Sequence, residues 1–311
     1  MKRFLILLLS AVLVACHKEE PTLSKITLVM ATGSVPTRAG DPDAQTISDY
    51  NLLIFNSFGL LEEKVYVPRR QLVLVGGKVR HSTTLFKEGS YTILAAANLG
   101  YELPVMTLGE AMAYRFFLAY PDEYSRGVPM AACLEEFTPG SDRDLEIPLQ
   151  RLMARVDLQM DRTALDGGVS LEVTDVRIRN CPSSATLFRV SKAETADQVF
   201  GTGFFKSVLE VAALNRDVSL GLSGTVSVFL LENCQGETLH PTVCSFIEIR
   251  AEYHSAQWHT GPSSRLVYRF YLKEGENYDV TRNTQYSVRI KPRGDGLPDE
   301  EWRVDKSGLI P

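Results

Sequence analysis

Period-two alternation of apolar and polar residues constrains this chain more than any other feature. "SKITLVM" alternates Ile26, Leu28 and Met30, "RLMARVDLQM" alternates Leu152, Ala154, Val156, Leu158 and Met160, and "FIEIRAEY" alternates Ile247, Ile249, Ala251 and Tyr253. Side chains on a strand point to opposite faces in turn, so such segments are strands with one face on a core and one in water. "NLLIFN" from Asn51 and "TVSVFLLEN" from Thr225 are continuously apolar and read as central strands covered on both sides. Turn pairs punctuate the pattern at Phe58-Gly59, Gly76-Gly77, Gly167-Gly168 and Glu274-Gly275. Short strands at this spacing predict an all-β chain of sandwiches. Helix is expected only over Thr107–Ala119 and Ser191–Phe200.

The first residues follow a different rule. Lys2 and Arg3 precede a stretch from Phe4 to Val14 that is apolar except for Ser10. It is shorter than the roughly 20 residues of a membrane-crossing helix and has the form of a secretory signal. The run ends in "LVAC", and polar "HKEE" follows at once. This resembles a bacterial lipoprotein signal, cut before Cys16, whose thiol and new amino group are then acylated. Residues 1–15 are the expected signal peptide and 16–22 a lipidated tether. Three acyl chains exceed the two signals needed for stable anchoring. Lys18-Glu19-Glu20 resembles the export signal of Bacteroidetes surface lipoproteins, and His17 stands where an inner-membrane retention aspartate would.

Without the signal, about 296 residues remain, with 31 basic against 38 acidic side chains, a net charge near −7. That balance argues against a phosphate-binding surface, and nucleic acid is not an expected partner. Cys133, Cys181, Cys234 and Cys244 lack the spacing of a metal site. A Cys234–Cys244 staple and four small buried thiols both fit, the second being preferred. His254 and His259 are five apart, which sets them on opposite faces of a strand, and Ser223 in "GLSGT" lacks the strand–elbow–helix context of a hydrolase nucleophile. No cofactor, metal site or enzymatic activity is expected. The main interruption of the pattern, "TPGSDRDLE" from Thr138 to Glu146, places a boundary between domains 23–143 and 144–311.

Taken with the lipobox and the early alternating strand, "ISDYNLLIFNSFGLL", "YTILAAANLG", "IPLQRLMARVDL" and "VTRNTQYSVRI" resemble the fimbrillin superfamily, the type V pilus subunits of Bacteroidales. The resemblance implies two tandem transthyretin-like Greek-key β-sandwiches, export as an outer-membrane lipoprotein and assembly at the cell surface. It also implies that an arginine-specific protease removes the first strand and that a neighbour's C-terminal strand fills the vacated groove.

Carried onto this chain, residues 23–31 become the removable strand, with Ile26, Leu28 and Met30 as its groove-filling side chains. Residues 32–46 become a cleavage loop, read from "ATGSVPTRAGDPDAQT" as an exposed segment rich in glycine and proline. Arg38 is its only basic residue, so maturation is expected between Arg38 and Ala39. The tail "RGDGLPDEEWRVDKSGLIP" departs from a donor strand, because Trp302 and Val304 are its one alternating pair. This favours a tip or accessory pilin that receives a strand without giving one. The alternatives are an anchor subunit that keeps its lipid and a surface lipoprotein that binds glycan or host ligand through aromatics such as Tyr101 and Tyr114–Tyr120. The expected partners are other pilus subunits by strand exchange, outer-membrane lipid through Cys16 before processing, and a host or bacterial receptor.

Overall fold

The apolar alternation of the first half produces one sheet that curls over on itself. The structure, a computed structural model, describes residues 22–32, 46–120, 127–201, 204–205, 211–216, 224–257, 259–296 and 303–309. In chain order the first half forms β1 (Leu23–Thr32), β2 (Tyr50–Asn56), β3 (Leu61–Val67), β4 (Val79–Phe86), β5 (Tyr91–Ala97), the helix α1 (Leu108–Ala113), the short β6 (Arg115–Phe117), β7 (Met130–Phe137) and β8 (Arg143–Arg151). The strands pair in the order β3-β2-β5-β7-β8-β1-β4. Because β7 and β8 pair only at Met130–Arg151 and Ala131–Gln150, the sheet opens there and its two halves face each other. Ile26, Leu28 and Met30 meet Leu52, Ile54, Ile93, Ile147 and Leu149 in the core between them.

The continuous apolar run of β2 has the expected cause. Leu52 and Ile54 enter that core, while Leu53 and Phe55 face a second one with Met112 of α1 and with Leu187, Phe229 and Leu231 of the second half. A short ladder between β6 and β13 (Ser184–Thr186) adds a hydrogen-bonded join between the halves.

The second half continues through β9 (Met153–Met160), β10 (Ala164–Leu165), β11 (Val169–Arg179), β12 (Cys181–Pro182), β13, β14 (Val199–Phe200), β15 (Phe204–Phe205), β16 (Val226–Leu231), β17 (Phe246–Ser255), β18 (His259–Tyr271), β19 (Gln285–Lys291), β20 (Arg293–Gly294) and β21 (Arg303–Leu309). Two four-stranded sheets, β15-β11-β17-β18 and β16-β9-β19-β21, enclose a core that takes Ala154, Val156, Leu158 and Met160 from β9 and Ile247, Ile249 and Ala251 from β17. Each sandwich sets its first strand parallel to a late one, β1 to β8 and β9 to β19. The fold is therefore all-β, two sandwiches in tandem.

Three local expectations are corrected. The chain passes between sandwiches at Leu152, not at 143/144, because the alternation of β8 carries Ile147 and Leu149 into the first core and pairs the strand with β1. The segment from Thr107 is helical only to Ala113, held by a capping box in which Thr107 Oγ1 accepts from the Glu110 amide and the Glu110 carboxylate accepts from the Thr107 amide. It then turns extended, so Phe116 is buried while Phe117 is exposed. Residues 191–200 contain one 3-10 turn, Ala196–Gln198, before β14. The tail, for which no pairing is read from the sequence, lies as β21 antiparallel to β19, from Arg303 opposite Lys291 to Leu309 opposite Gln285. An edge strand with one ladder can form on backbone hydrogen bonds without an alternating apolar face.

Candidate functional site

The candidate site is the slot that holds β1. Although first in sequence, β1 is an interior strand of its sheet, antiparallel to the edge strand β4 from Leu23–Phe86 to Met30–Val79 and parallel to β8 from Ile26–Arg143 to Thr32–Leu149. Its alternation follows from that position, with Ile26, Leu28 and Met30 each 0% exposed against the core. Polar groups fix the entry of the strand. Ser24 Oγ donates to the Gly140 carbonyl at 2.8 Å, the Lys25 amide donates to Asp142 Oδ1 at 2.8 Å, and the Lys87 amide donates to the Thr22 carbonyl at 2.9 Å. On the outer face Thr27 Oγ1 and Ser82 Oγ lie 3.2 Å apart.

β4 ends the sheet order, and β1 is its ladder partner among the described residues. A second attachment comes from the facing half of the same curled sheet. Glu63 on β3 reaches across the open edge of the sandwich, its Oε1 2.7 Å from His81 Nε2 and its Oε2 accepting from Thr83 Oγ1 at 2.5 Å. Burial, helped by the Glu63 charge, pushes the Tyr50 phenol above its ordinary range. Two ion pairs cross above β1, Arg80 Nη1 to Asp144 Oδ2 at 2.9 Å and Lys78 Nζ to Glu146 Oε1 at 3.1 Å. They tie β4, and Lys78 immediately before it, to β8 on the other side of β1, and their partners are separated by 64 and 68 residues in sequence.

Cys16, Arg38 and Ala39 lie outside the described residues, as does Ser223. None of the four remaining cysteines is disulfide-bonded: Cys181 and Cys244 are buried, Cys234 is half-buried, and Cys133 is exposed on β7. His254 is an exposed residue of β17, and His259 begins β18 across the hairpin. Of the aromatic patch, Tyr114 donates to the Tyr101 hydroxyl at 3.2 Å at the margin of the second core, leaving Phe117 and Tyr120 exposed. The sequence did not point to Val29, Glu63, His81 or the two crossing ion pairs. One signal was present: Leu28-Val29-Met30 breaks strict alternation in the strand.

No protein-family model and no curated protein sequence matches the chain. Solved structures do match. The tip fimbrial protein Mfa3 of Porphyromonas gingivalis, a C-terminally truncated form, aligns with TM-score 0.60 at 12% identity over 92% of this chain and 99% of its own. The fold is a fimbrial-protein fold. A candidate cell adhesion protein of Parabacteroides distasonis aligns with TM-score 0.63 at 15% identity, covering 92% of this chain and 96% of its own. The fimbrilin FimA of P. gingivalis gives 0.56 at 12% identity, covering 91% and 96%. At these identities the likeness to fimbrial proteins is one of architecture, and it spans both sandwiches.

Proposed function

We propose that this chain is a structural, non-enzymatic subunit of a cell-surface type V pilus, a tip or accessory pilin. It is exported as a lipoprotein through Cys16, trimmed by an arginine-specific protease between Arg38 and Ala39, and assembled by accepting a neighbour's strand in place of β1. The single observation that carries this reading is the position of β1: it is an interior strand paired on both sides, covalently continuous with the rest of its sandwich only through residues 33–45. One cut in that segment converts a core strand into a bound peptide. Its departure exposes two unpaired strand edges and the sites of Ile26, Leu28 and Met30, a liability that an added strand removes.

Each of those side chains contributes roughly 1.5–3 kcal/mol on burial. Losing all three removes a large part of an ordinary domain stability of about 5–15 kcal/mol, so the trimmed protein has a strong drive to take a replacement. The tip assignment is supported by the other end. "RVDKSGL" of β21 has no counterpart to the apolar face of β1, so it is a poor occupant for such a slot. The test compares melting temperatures of full-length, N-trimmed and C-trimmed protein, with and without a stalk subunit's C-terminal strand as a peptide. N-trimming should lower the melting temperature and the peptide should restore it. An N-trimmed protein as stable as the full chain refutes strand replacement.

A further inference from the structure

Val29 faces away from the core cluster, on the side of β1 opposite Ile26, Leu28 and Met30, yet it is only 2% exposed. The register sets Arg80 of β4 on one side of it and Glu146 of β8 on the other. Residues paired in register share a face. The Arg80–Asp144 pair therefore passes over the strand between Thr27 and Val29, and the Lys78–Glu146 pair passes over it just beyond Val29. Lysine and arginine cover apolar surface with their methylene stems while their charged ends stay in water. All four side chains are substantially exposed, which fits a cover at the surface and not a buried ion-pair network.

We infer that these two ion pairs form a clasp over the slot, which gates exit of the strand and selects its occupant by the outward residue at position 29 as well as by the inward face. The core blocks the inner side, so a strand in this slot leaves outward, past the clasp. The preferred occupant is an extended strand with three consecutive apolar residues, the outer two facing the core and the middle one, aliphatic and uncharged, facing the clasp. A strand with plain alternation and a polar residue at that middle position fits less well.

The clasp is a property of the intact chain and can be tested without cleavage or a neighbouring subunit, so its failure is separable from failure of the pilus reading. Amide hydrogen exchange across β1 reports how often the strand leaves, and amides of β2 and β5 report the remainder of the sandwich. Exposed ion pairs contribute about 0.2–1 kcal/mol each. Replacing Lys78 and Arg80 together by Gln should therefore speed β1 exchange about two- to thirtyfold, with β2 and β5 unchanged. High salt should speed β1 exchange in the natural chain and have little effect in that variant. Val29→Ile should stay close to the natural rate, while Val29→Asn should raise it at least as much as loss of the clasp. The combined Arg80→Asp and Asp144→Arg exchange should return the rate toward the natural value. An unchanged rate in the Lys78→Gln, Arg80→Gln chain, an equal salt response in both chains, or equal rates for Val29→Ile and Val29→Asn would each overturn the inference. Should a variant fail to fold, the salt response of the natural β1 amides still decides: no response refutes the clasp.

Discussion

Leu28→Ala tests whether β1 behaves as a separable unit that also holds β4 in place. Leu28 is 0% exposed and sits in the middle of the strand. Truncating a fully buried leucine costs about 2–5 kcal/mol, the spread reflecting how far the cavity collapses. If β1 opens as a unit, that loss appears first as local opening, not as global unfolding. At 1.36 kcal/mol per factor of ten, exchange should accelerate about 30- to 5,000-fold. The pattern matters as much as the size. β4 depends on β1 for its ladder, so amides of both strands should accelerate together. Amides shared by β2 and β5, which pair with each other from Tyr50–Ala97 to Asn56–Tyr91, should stay protected. Uniform acceleration over the whole first sandwich would mean that β1 does not open independently. Acceleration of β1 with β4 fully protected would show that the Glu63 contacts to His81 and Thr83 suffice to hold β4 alone.

Three further outcomes follow from the same account. Cys16→Ser should abolish acylation, because a hydroxyl cannot form the thioether, and should release the protein from the membrane fraction; fatty-acid labelling unchanged by the substitution would sink the lipoprotein reading. Limited trypsin digestion should cut at Arg38 before Arg151 or Arg155, whose side chains are buried and whose strands are paired; early fragments starting at Leu152 or Val156 would contradict it. Thiol titration of the acylated protein in denaturant should find all four of Cys133, Cys181, Cys234 and Cys244, two fewer indicating a disulfide; in the folded protein Cys244, its pKa pushed up to about 11 by burial, should alkylate slowly at pH 8.

The strands were legible in the sequence because burial writes itself into side-chain periodicity. β17 shows it, and so does β2, whose unbroken apolar run matches its place between two cores; β9 shows it only on its core face, because Arg155 and Asp157, expected in water, are buried as an ion pair 2.9 Å apart. What the periodicity missed depends on contacts between distant parts of the chain. Phe117 is exposed because Arg115–Phe117 pairs with Ser184–Thr186, a partner nearly seventy residues away, and so turns extended where local propensity favoured a helix. β21 forms against the open edge of β19 through backbone groups that every residue carries, so its side chains give no signal. In the candidate site the inward face of β1 could be read from "SKITLVM", whereas its interior place between β4 and β8 could not. Val29 looked like a break in the alternation until the register put Arg80 and Glu146 beside it.

The central claim is that β1 is a temporary occupant of its slot, removed when the protein matures. The most direct measurement is the intact mass, with N-terminal peptide mapping, of the protein recovered from assembled fibres on cells. The account predicts a chain that begins at Ala39 and lacks both the lipid and residues 23–32. A fibre-associated chain that begins at acylated Cys16 and retains β1 would contradict it.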